Sequence, residues 1–528
     1  MSNELDFLSR RVAAGKLSRR DFLGRAAALG VTATFANGLL SSAAKAQGAV
    51  KGGMLRAGMQ GGESTNSLDP ASFLSQVPFN FGKCWGEYLV RLNRDGSLEN
   101  LVAEEIGSSD AKTWTMKIRD GIEFHNGKTL TAEDVLATIQ RHSDENSKSG
   151  ALGIMKGITN VKASGKEVIV ELAEADADFP YLMADYHLII QPNGGKDNPT
   201  EGVSAGPYKV VVDEPGVRYG GERFANYWRG DKIGHADQIE IIVINDATAR
   251  TSALQGRQVH MINRVEPKIV ELVKRVAGVT IQNVAGRGFY PFNMFCDTAP
   301  FDNVDLRMAL KLAMDREELL TKILFGYGST GNDFPINAAY PLFADDIEQR
   351  KFDPEAAAAA YKKSGHSGPI VLRTSDVAFP GAVDAAQLYQ QSCAKAGITI
   401  EVKREPGDGY WSEVWNKQPF SLSYWGGRPT QNQMYSTAYL SGAEWNDTRW
   451  KRPEFDQMVL AARAELDETK RKAMYRDMAI LMRDEGGLII PFFNEFIDAS
   501  SDNVGGYDKH PAAELMDGYA LAECWVVA

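Results

Sequence analysis

The sequence of 528 residues lacks several features that would point directly to a chemistry. It has 7 scattered histidines and 4 cysteines, and their spacing fits no zinc or iron–sulfur site. It contains no G-x-x-x-x-G-K-[ST] phosphate loop, no G-x-S-x-G and no H-E-x-x-H. No basic stripe with interleaved aromatic residues is present, so nucleic acid is a poor candidate partner. These absences disfavour metal-dependent and phosphate-loop enzymes, and no cofactor is expected.

The composition is that of a folded, acidic protein. Hydrophobic residues make up 44% and charged residues 24%, which is ordinary for a globular chain and argues against disorder. A chain of this length exceeds what one compact core usually organises, so we expect two or three domains. The formal net charge of −11 favours solubility but says little about a ligand.

The N-terminus resembles an export signal. Residues 18–23 (SRRDFL) match the twin-arginine pattern, and a moderately apolar run follows at 26–40. Residues 44–46 (AKA) form an A-x-A cleavage site, so residues 1–46 are predicted to be removed after Ala46. An uncleaved anchor is the alternative, but the run is short and interrupted by Asn37. We therefore predict export by the twin-arginine translocase and a soluble periplasmic protein.

The cysteines leave two alternatives open. The periplasm is oxidising, so Cys84, Cys296, Cys393 and Cys524 can form disulfides. Four cysteines allow three pairings, and the sequence does not choose among them. Buried free thiols are an equally good interpretation.

Residues 114–141 (WTMKIRDGIEFHNGKTLTAEDVLATIQR) predict a compact structural unit without catalytic chemistry. Apolar and polar residues alternate from Trp114 to Arg119, as in a half-buried strand. Two turn dipeptides, Asp-Gly and Asn-Gly, flank a short second strand predicted at 122–125. Thr131 then caps a helix, with Asp134 three residues further on.

Other segments share a family pattern with this unit. They are residues 67–70 (SLDP), 205–209 (AGPYK), 226–230 (NYWRG) and the helix-like stretch 246–262. Together with residues 114–141 they resemble the substrate-binding proteins of peptide/nickel-type ABC transporters, the extracellular solute-binding protein family 5. The resemblance covers essentially the whole chain after the signal.

This resemblance implies an α/β fold of the type II periplasmic binding protein-like class, with two lobes around a ligand cleft and an inserted domain (three-lobed, cluster C type). Lobe I would combine residues 48–82, 205–288 and 486–528. Lobe II would span 83–204 and lobe III 289–485. The ligand would lie between lobes I and III, and hinge motion would close over it. We expect a monomer that delivers a small solute to an ABC permease and ATPase complex in the inner membrane.

An aromatic-rich stretch, residues 409–450, is the best candidate for the ligand site. Aromatic faces bury a large area at a low entropic cost, although most of these rings are expected to be core. Tyr424 and Trp425 precede Gly426 and Gly427, where the backbone can approach a ligand closely. The run resembles the family's "W-x-x-D" loop.

The same loop departs from the family pattern. In dipeptide- and oligopeptide-binding members an aspartate near this loop pairs with the peptide ammonium group, but here no acid appears before Glu444. Arg428 instead offers a planar guanidinium suited to a carboxylate or phosphate. We therefore expect Arg428 to bind an anionic group of the solute, with a structural salt bridge as the alternative. By resemblance, Phe73, Tyr290 and Asn293 are further candidates for the pocket wall, or else ordinary core.

These considerations favour a peptide or peptide-like solute. An anionic non-peptide such as an opine-like compound or a sugar conjugate, or a metal chelate, is the alternative ligand. A secreted hydrolase is the alternative of another class, because Ser392–Lys395 form an S-x-x-K and Ser501-Asp502-Asn503 an S-D-N. The K-T-G-like element that such an enzyme also needs is missing downstream, so we interpret both motifs as chance matches and predict no enzyme activity.

Overall fold

The computed structural model describes residues 48–230, 232–465 and 467–527, together with residues 5, 8, 9, 11, 12, 17 and 19–29 near the N-terminus. Arg19–Ala28 is helical. Ser18 and the predicted cleavage site at 44–46 lie outside the described residues, so export and cleavage stay predictions. Within the described parts of the chain, no helix is long and apolar enough to cross a membrane.

The largest sheet has eight strands, drawn from distant parts of the chain. Met54–Met59 forms its parallel centre, since it pairs in parallel with one neighbour on each side. From one edge to the other the strands are Val279–Phe289, Phe492–Ser501, Met261–Ile262, Met54–Met59, Gln238–Val243, Arg218–Arg223 and Tyr208–Glu214, with Gly328–Thr330 paired to Phe492–Ser501. The sheet therefore joins segments that lie far apart in the sequence, from Met54 to Ser501, in one core.

A second, antiparallel sheet has four strands, in the order Ala103–Gly107, Thr113–Ile118, Glu167–Leu172 and Ile158–Ser164. The strand predicted from Trp114 is confirmed, with its apolar residues buried on one face. Thr131 precedes the helix Ala132–Ser143, and its backbone N–H donates to the Asp134 carboxylate at 2.9 Å. The second strand predicted at 122–125 is wrong, because only a single bridge forms there, between Glu123 and Thr129 across the Asn-Gly turn.

A third sheet has five strands, in the order Ile400–Arg404, Ile370–Thr374, Phe420–Leu422, Phe292–Met294 and Leu488–Ile489. Two long helices lie near the C-terminal half of the chain, Pro453–Ala464 and Glu468–Glu485. The other helices of eight or more residues are Gln76–Trp85, Ala247–Gln255, Val304–Leu312, Arg316–Ile323, Pro354–Ser364, Ala382–Lys395 and Gln431–Ala438. Shorter helical turns are Leu152–Met155, Phe179–Leu182, Val270–Val273 and Ala520–Glu523, and short strand pairs join Val90–Leu92 to Leu98–Asn100 and Val504–Gly505 to Trp525–Val526.

The chain crosses between the large and third sheets at two neighbouring points. Val279–Phe289 ends in the large sheet and Phe292–Met294 begins in the third, while Leu488–Ile489 ends in the third sheet and Phe492–Ser501 begins in the large one. Phe289 pairs with Phe493 and Phe292 with Ile489, so the crossings lie side by side. The segment after residue 487 therefore forms two strands, one in each sheet.

The cysteines do not pair in this structure. No disulfide joins any of the four, all of which are described, and Cys84 and Cys393 lie fully buried. Burial raises the pKa of the Cys393 thiol to about 12. The buried-thiol alternative is therefore favoured over a disulfide framework.

Beside one crossing lies a buried group of charges centred on Asp333. Its carboxylate accepts two hydrogen bonds from Arg316, at 2.6 and 2.7 Å, and one from the backbone N–H of Ile490 at 3.0 Å. The Arg350 Nε also lies 3.0 Å from it. Burial opposes ionisation of Asp333, but the two guanidinium groups outweigh it and hold its pKa below the ordinary value.

We predict that Asp333→Ala destabilises the fold strongly. The substitution leaves the buried Arg316 guanidinium without a carboxylate, while Arg350 keeps only its pair with Asp484. Breaking a buried pair costs about 3–5 kcal/mol of unfolding free energy. Denaturant unfolding of wild type and variant measures the difference. Lys162→Ala, which breaks the exposed Lys162–Glu171 pair, is the control and should change little. An equally small effect of both substitutions would contradict the prediction.

Candidate functional site

A cavity of about 120 Å³ lies where the large sheet, the third sheet and the domain of the antiparallel sheet meet. Its walls come from residues 74–83, 184–186, 411–415, 423–429 and 512–518, with single residues from other segments. A water molecule needs only about 10–15 Å³ of such space. The cavity is therefore large enough for a small organic solute.

The loop that follows Phe420–Leu422 forms one wall, and the crossing between the sheets fixes its position. The backbone of Trp425 exchanges two hydrogen bonds with Phe289, at 2.9 and 3.0 Å. Gly427 has a φ of +84°, and a Cβ there would lie 2.4 Å from the Cβ of Arg287, so only glycine fits. At Gly426 the nearest atom to a Cβ would be 4.0 Å away, which leaves the backbone open toward the cavity.

Three indole rings form an aromatic cluster around this loop. The ring centroids of Trp415, Trp425 and Trp445 lie 5.7–6.3 Å apart in edge-to-face pairs. The Asp447 carboxylate orients two of them by accepting hydrogen bonds from the Nε1 of Trp415 and Trp425, at 2.9 and 3.0 Å. It accepts a third from Asn293 at 2.8 Å. The aromatic wall is thus fixed by one buried carboxylate behind it.

Arg428 lies in the wall next to these rings and is 9% exposed. Its guanidinium donates to the Gly427 carbonyl at 2.8 Å and to the Tyr186 hydroxyl at 3.3 Å, and it lies 5.5 Å from the centroid of the Trp425 ring. Its Nε has no hydrogen-bond partner. In the described part of the chain no carboxylate oxygen lies within ion-pair distance of it, so the salt-bridge alternative for Arg428 is not realised here.

Asp185 and Lys83 contribute two further charges to the wall, at 5% and 6% exposure. The Asp185 carboxylate accepts from the backbone N–H of His187 at 3.0 Å and contacts its Nδ1 at 2.5 Å. Burial opposes ionisation of Asp185, but His187 and Arg428 outweigh it and lower its pKa. The Lys83 ammonium lies over the rings of Tyr88 and Tyr519, at 4.2 and 4.9 Å, and burial lowers its pKa.

The structure brings five of the predicted site residues to the cavity: Tyr424, Trp425, Gly426, Gly427 and Arg428. The other three candidates lie behind its walls. Phe73 packs on Phe79, Tyr290 stacks on Phe379 at 4.3 Å, and Asn293 contacts Asp447.

Several lining residues were missed by the sequence reasoning. They are Lys83, Asp185, Tyr186, Arg287 and Asp517. Of these residues only Lys83 has a signal in the sequence that could have identified it. It is the single charged residue of the helix Gln76–Trp85.

The hydrolase motifs do not assemble into a nucleophile with a base. Ser392 is fully buried in its helix and its hydroxyl donates to the Leu388 carbonyl at 3.2 Å, whereas Lys395 is exposed. Ser501 lies in the large sheet and contacts Asn503 at 2.6 Å. Among the described residues, no group of three or more His, Cys, Asp or Glu side chains is placed to hold a metal ion.

The fold and the cavity between lobes define a class of protein, the type II periplasmic binding proteins with an inserted domain. A sequence profile described as bacterial extracellular solute-binding proteins, family 5 Middle, matches residues 97–447. The chain therefore belongs to the extracellular solute-binding proteins of family 5, whose members bind substrates rather than convert them.

Individual relatives agree with this assignment. The chain is 25% identical over 446 residues to the oligopeptide-binding protein OppA of Bacillus subtilis, covering 76% of this chain and 80% of that protein. It is 22% identical over 473 residues to the glutathione-binding protein GsiB of Pectobacterium atrosepticum, covering 85% and 91%. The structure of AgaA from A. tumefaciens R10 in complex with agropinic acid superposes with a TM-score of 0.82 at 20% identity, covering 90% of this chain and 99% of AgaA.

We predict that Asp447 makes stability depend on pH. Burial raises its pKa to about 6, from an ordinary value of about 3.9. The folded state then binds a proton more tightly than the unfolded state, so stability falls as the pH rises from about 4 to just above 6. Asp447→Asn does not titrate. The unfolding free energy of wild type minus that of the variant should therefore decrease by roughly 1–3 kcal/mol across this range.

Denaturant unfolding of both proteins at several pH values from 4 to 8 measures this difference. A difference that stays constant with pH, or that increases, would contradict the assigned pKa.

Proposed function

We propose that this protein is the periplasmic solute-binding component of an ABC importer, and that it captures a peptide or peptide-like solute between lobes I and III. The observation that carries the proposal is the buried Arg428 guanidinium, which lines the cavity with its Nε unpartnered and no carboxylate paired to it. Asp185 acts on this guanidinium only from beyond ion-pair distance. A buried cation without a paired counter-charge is costly, so an anionic group of the solute is the partner that completes it.

The rest of the wall supports a small, partly apolar solute. Three indole rings and Tyr424 offer flat apolar faces, while Gly426 leaves the backbone accessible for hydrogen bonds. Such a combination of apolar walls and a few fixed polar groups is typical of small-molecule sites. The relatives named above bind oligopeptides, glutathione and agropinic acid, which all carry carboxylates.

Lobe organisation, export and assembly complete the proposal. Lobe I comprises residues 48–82, 205–288 and 486–528, lobe II 83–204 and lobe III 289–485, with the refinement that residues 488–489 pair with the third sheet. The protein leaves the cytoplasm through the twin-arginine translocase, loses residues 1–46, and works as a monomer that delivers its solute to a permease and ATPase complex. An opine-like or other anionic conjugate is the second candidate ligand, favoured by the cationic Arg428 in a loop without an acid.

Native mass spectrometry of the purified protein tests the proposal, because binding proteins often retain their solute. We expect wild type to carry a bound mass and Arg428→Ala to lose roughly 10- to 100-fold in affinity for it, since a charged hydrogen bond contributes about 1.5–3 kcal/mol. Arg428→Lys should retain part of the affinity, because lysine keeps the positive charge but lacks the planar guanidinium that can donate two hydrogen bonds to one carboxylate.

Arg218→Ala is the matched control, since Arg218 is an exposed arginine on the large sheet and does not line the cavity. Equal retention of the bound mass by Arg428→Ala and Arg218→Ala would refute the role of Arg428. Steady turnover of an ester or amide that Ser392→Ala abolishes would instead revive the hydrolase alternative.

A further inference from the structure

The C-terminal wall of the cavity has an unusual backbone. Leu515, Met516, Asp517 and Gly518 all have positive φ, at 48°, 62°, 57° and 82°. Residues with a Cβ adopt this left-handed region at a cost, and rarely in succession. Such outliers persist only where the surrounding structure fixes them, and they concentrate at functional sites.

The surroundings of this left-handed turn (residues 515–518) do fix it. The backbone N–H of Leu515 donates to the buried Asp498 at 2.6 Å. Glu514, just before the turn, accepts from the Arg264 Nε at 2.6 Å and from Asn263 at 2.9 Å, and all three side chains are buried. Arg264 in turn lies 3.9 Å from the ring centroid of Tyr424, in the opposite wall of the cavity. The turn is therefore held rigidly against the binding site.

The turn presents Asp517 to the cavity next to Lys83. Gly518 packs on the helix Gln76–Trp85, since a Cβ there would lie 3.0 Å from the Lys83 Cγ. Of the negative charges around Lys83, Asp517 has the largest effect in raising its pKa against the lowering by burial, yet the two do not come within ion-pair distance. Asp517 is half-buried and its carboxylate contacts no donor in the described chain, and the buried Lys83 ammonium contacts aromatic rings rather than an acceptor. A cation and an anion thus line one end of the cavity and do not neutralise each other directly.

We propose that Lys83 and Asp517 together bind a zwitterionic amino-acid head group, with Asp517 accepting from the ammonium and Lys83 donating to the carboxylate on the same carbon. A group of this kind has the two opposite charges that the pair leaves unsatisfied, at the short separation that one carbon imposes. Arg428 then receives a second carboxylate. This inference rests on the proposed function and narrows its solute to an amino-acid derivative with an additional acidic group.

Isothermal titration calorimetry with L-glutamate and reduced glutathione tests the inference, each compared with its N-acetylated form. Both probes carry the zwitterionic head group and a second carboxylate, and the distance between the two groups differs between the probes. Acetylation removes the ammonium charge. We expect wild type to bind at least one free-amine probe at least tenfold more tightly than its acetylated form. Asp517→Asn should abolish this preference, whereas Lys83→Met should weaken the free and acetylated forms alike.

Asp120→Asn, at an exposed turn of the antiparallel-sheet domain, is the matched control and should bind like wild type. Binding of neither probe, or a preference that Asp517→Asn leaves intact, would overturn the inference. Asp517 is half-buried and asparagine has the same shape as aspartate, so Asp517→Asn should fold. This variant therefore tests the head-group site even where Lys83→Met fails to fold. Loss of the bound mass in Arg428→Ala without any Asp517-dependent preference would leave the proposed function standing and reject only the head-group site.

Discussion

The double crossing of the chain between two sheets is the constraint on which the rest of this structure depends. Residues 290–291 and 490–491 run side by side because Phe289 pairs with Phe493 and Phe292 with Ile489. The loop at Trp425 is hydrogen-bonded to Phe289 itself, so the aromatic wall of the cavity starts from the crossing. A connection of only a few residues restricts how the two lobes can move relative to each other, which suits hinge closure over a solute.

Electrostatics around the cavity follow a single physical rule. Some buried charges in this protein are paired, as Asp333 is with Arg316 and Glu514 with Arg264. Others, such as Arg250, Arg307 and Lys311, donate to backbone carbonyls instead, because an unsatisfied charge in a low-dielectric interior is costly. Among the described residues the Lys83 ammonium contacts only aromatic rings, and Arg428 keeps one unpartnered nitrogen, its Nε; both side chains line the cavity. In the proposed function the solute supplies the missing partners, and these charges then also give specificity, since a solute without the matching groups would leave them unsatisfied.

Part of the cavity wall was predictable because local sequence encodes local geometry. Gly426 and Gly427 mark a loop where the backbone must pass close to another group, and the adjoining Tyr424, Trp425 and Arg428 do line the cavity. Phe73, Tyr290 and Asn293 were placed by resemblance in neighbouring positions, but each side chain packs behind the wall. Whether a residue next to a pocket points into it depends on its packing against segments that are distant in the sequence. Local sequence patterns carry no information about that packing.

The sequence by itself determined the family, the α/β class and the local units, because periodicity, capping residues and turn dipeptides act over a few neighbouring positions. Thr131 with Asp134, and the alternation after Trp114, are examples. The tertiary structure decided which charges share the cavity. Lys83, Asp185, Arg428 and Asp517 come from four segments up to 434 residues apart, and only the folded sheets and the left-handed turn bring them together. No single stretch of the sequence encodes that arrangement of charges.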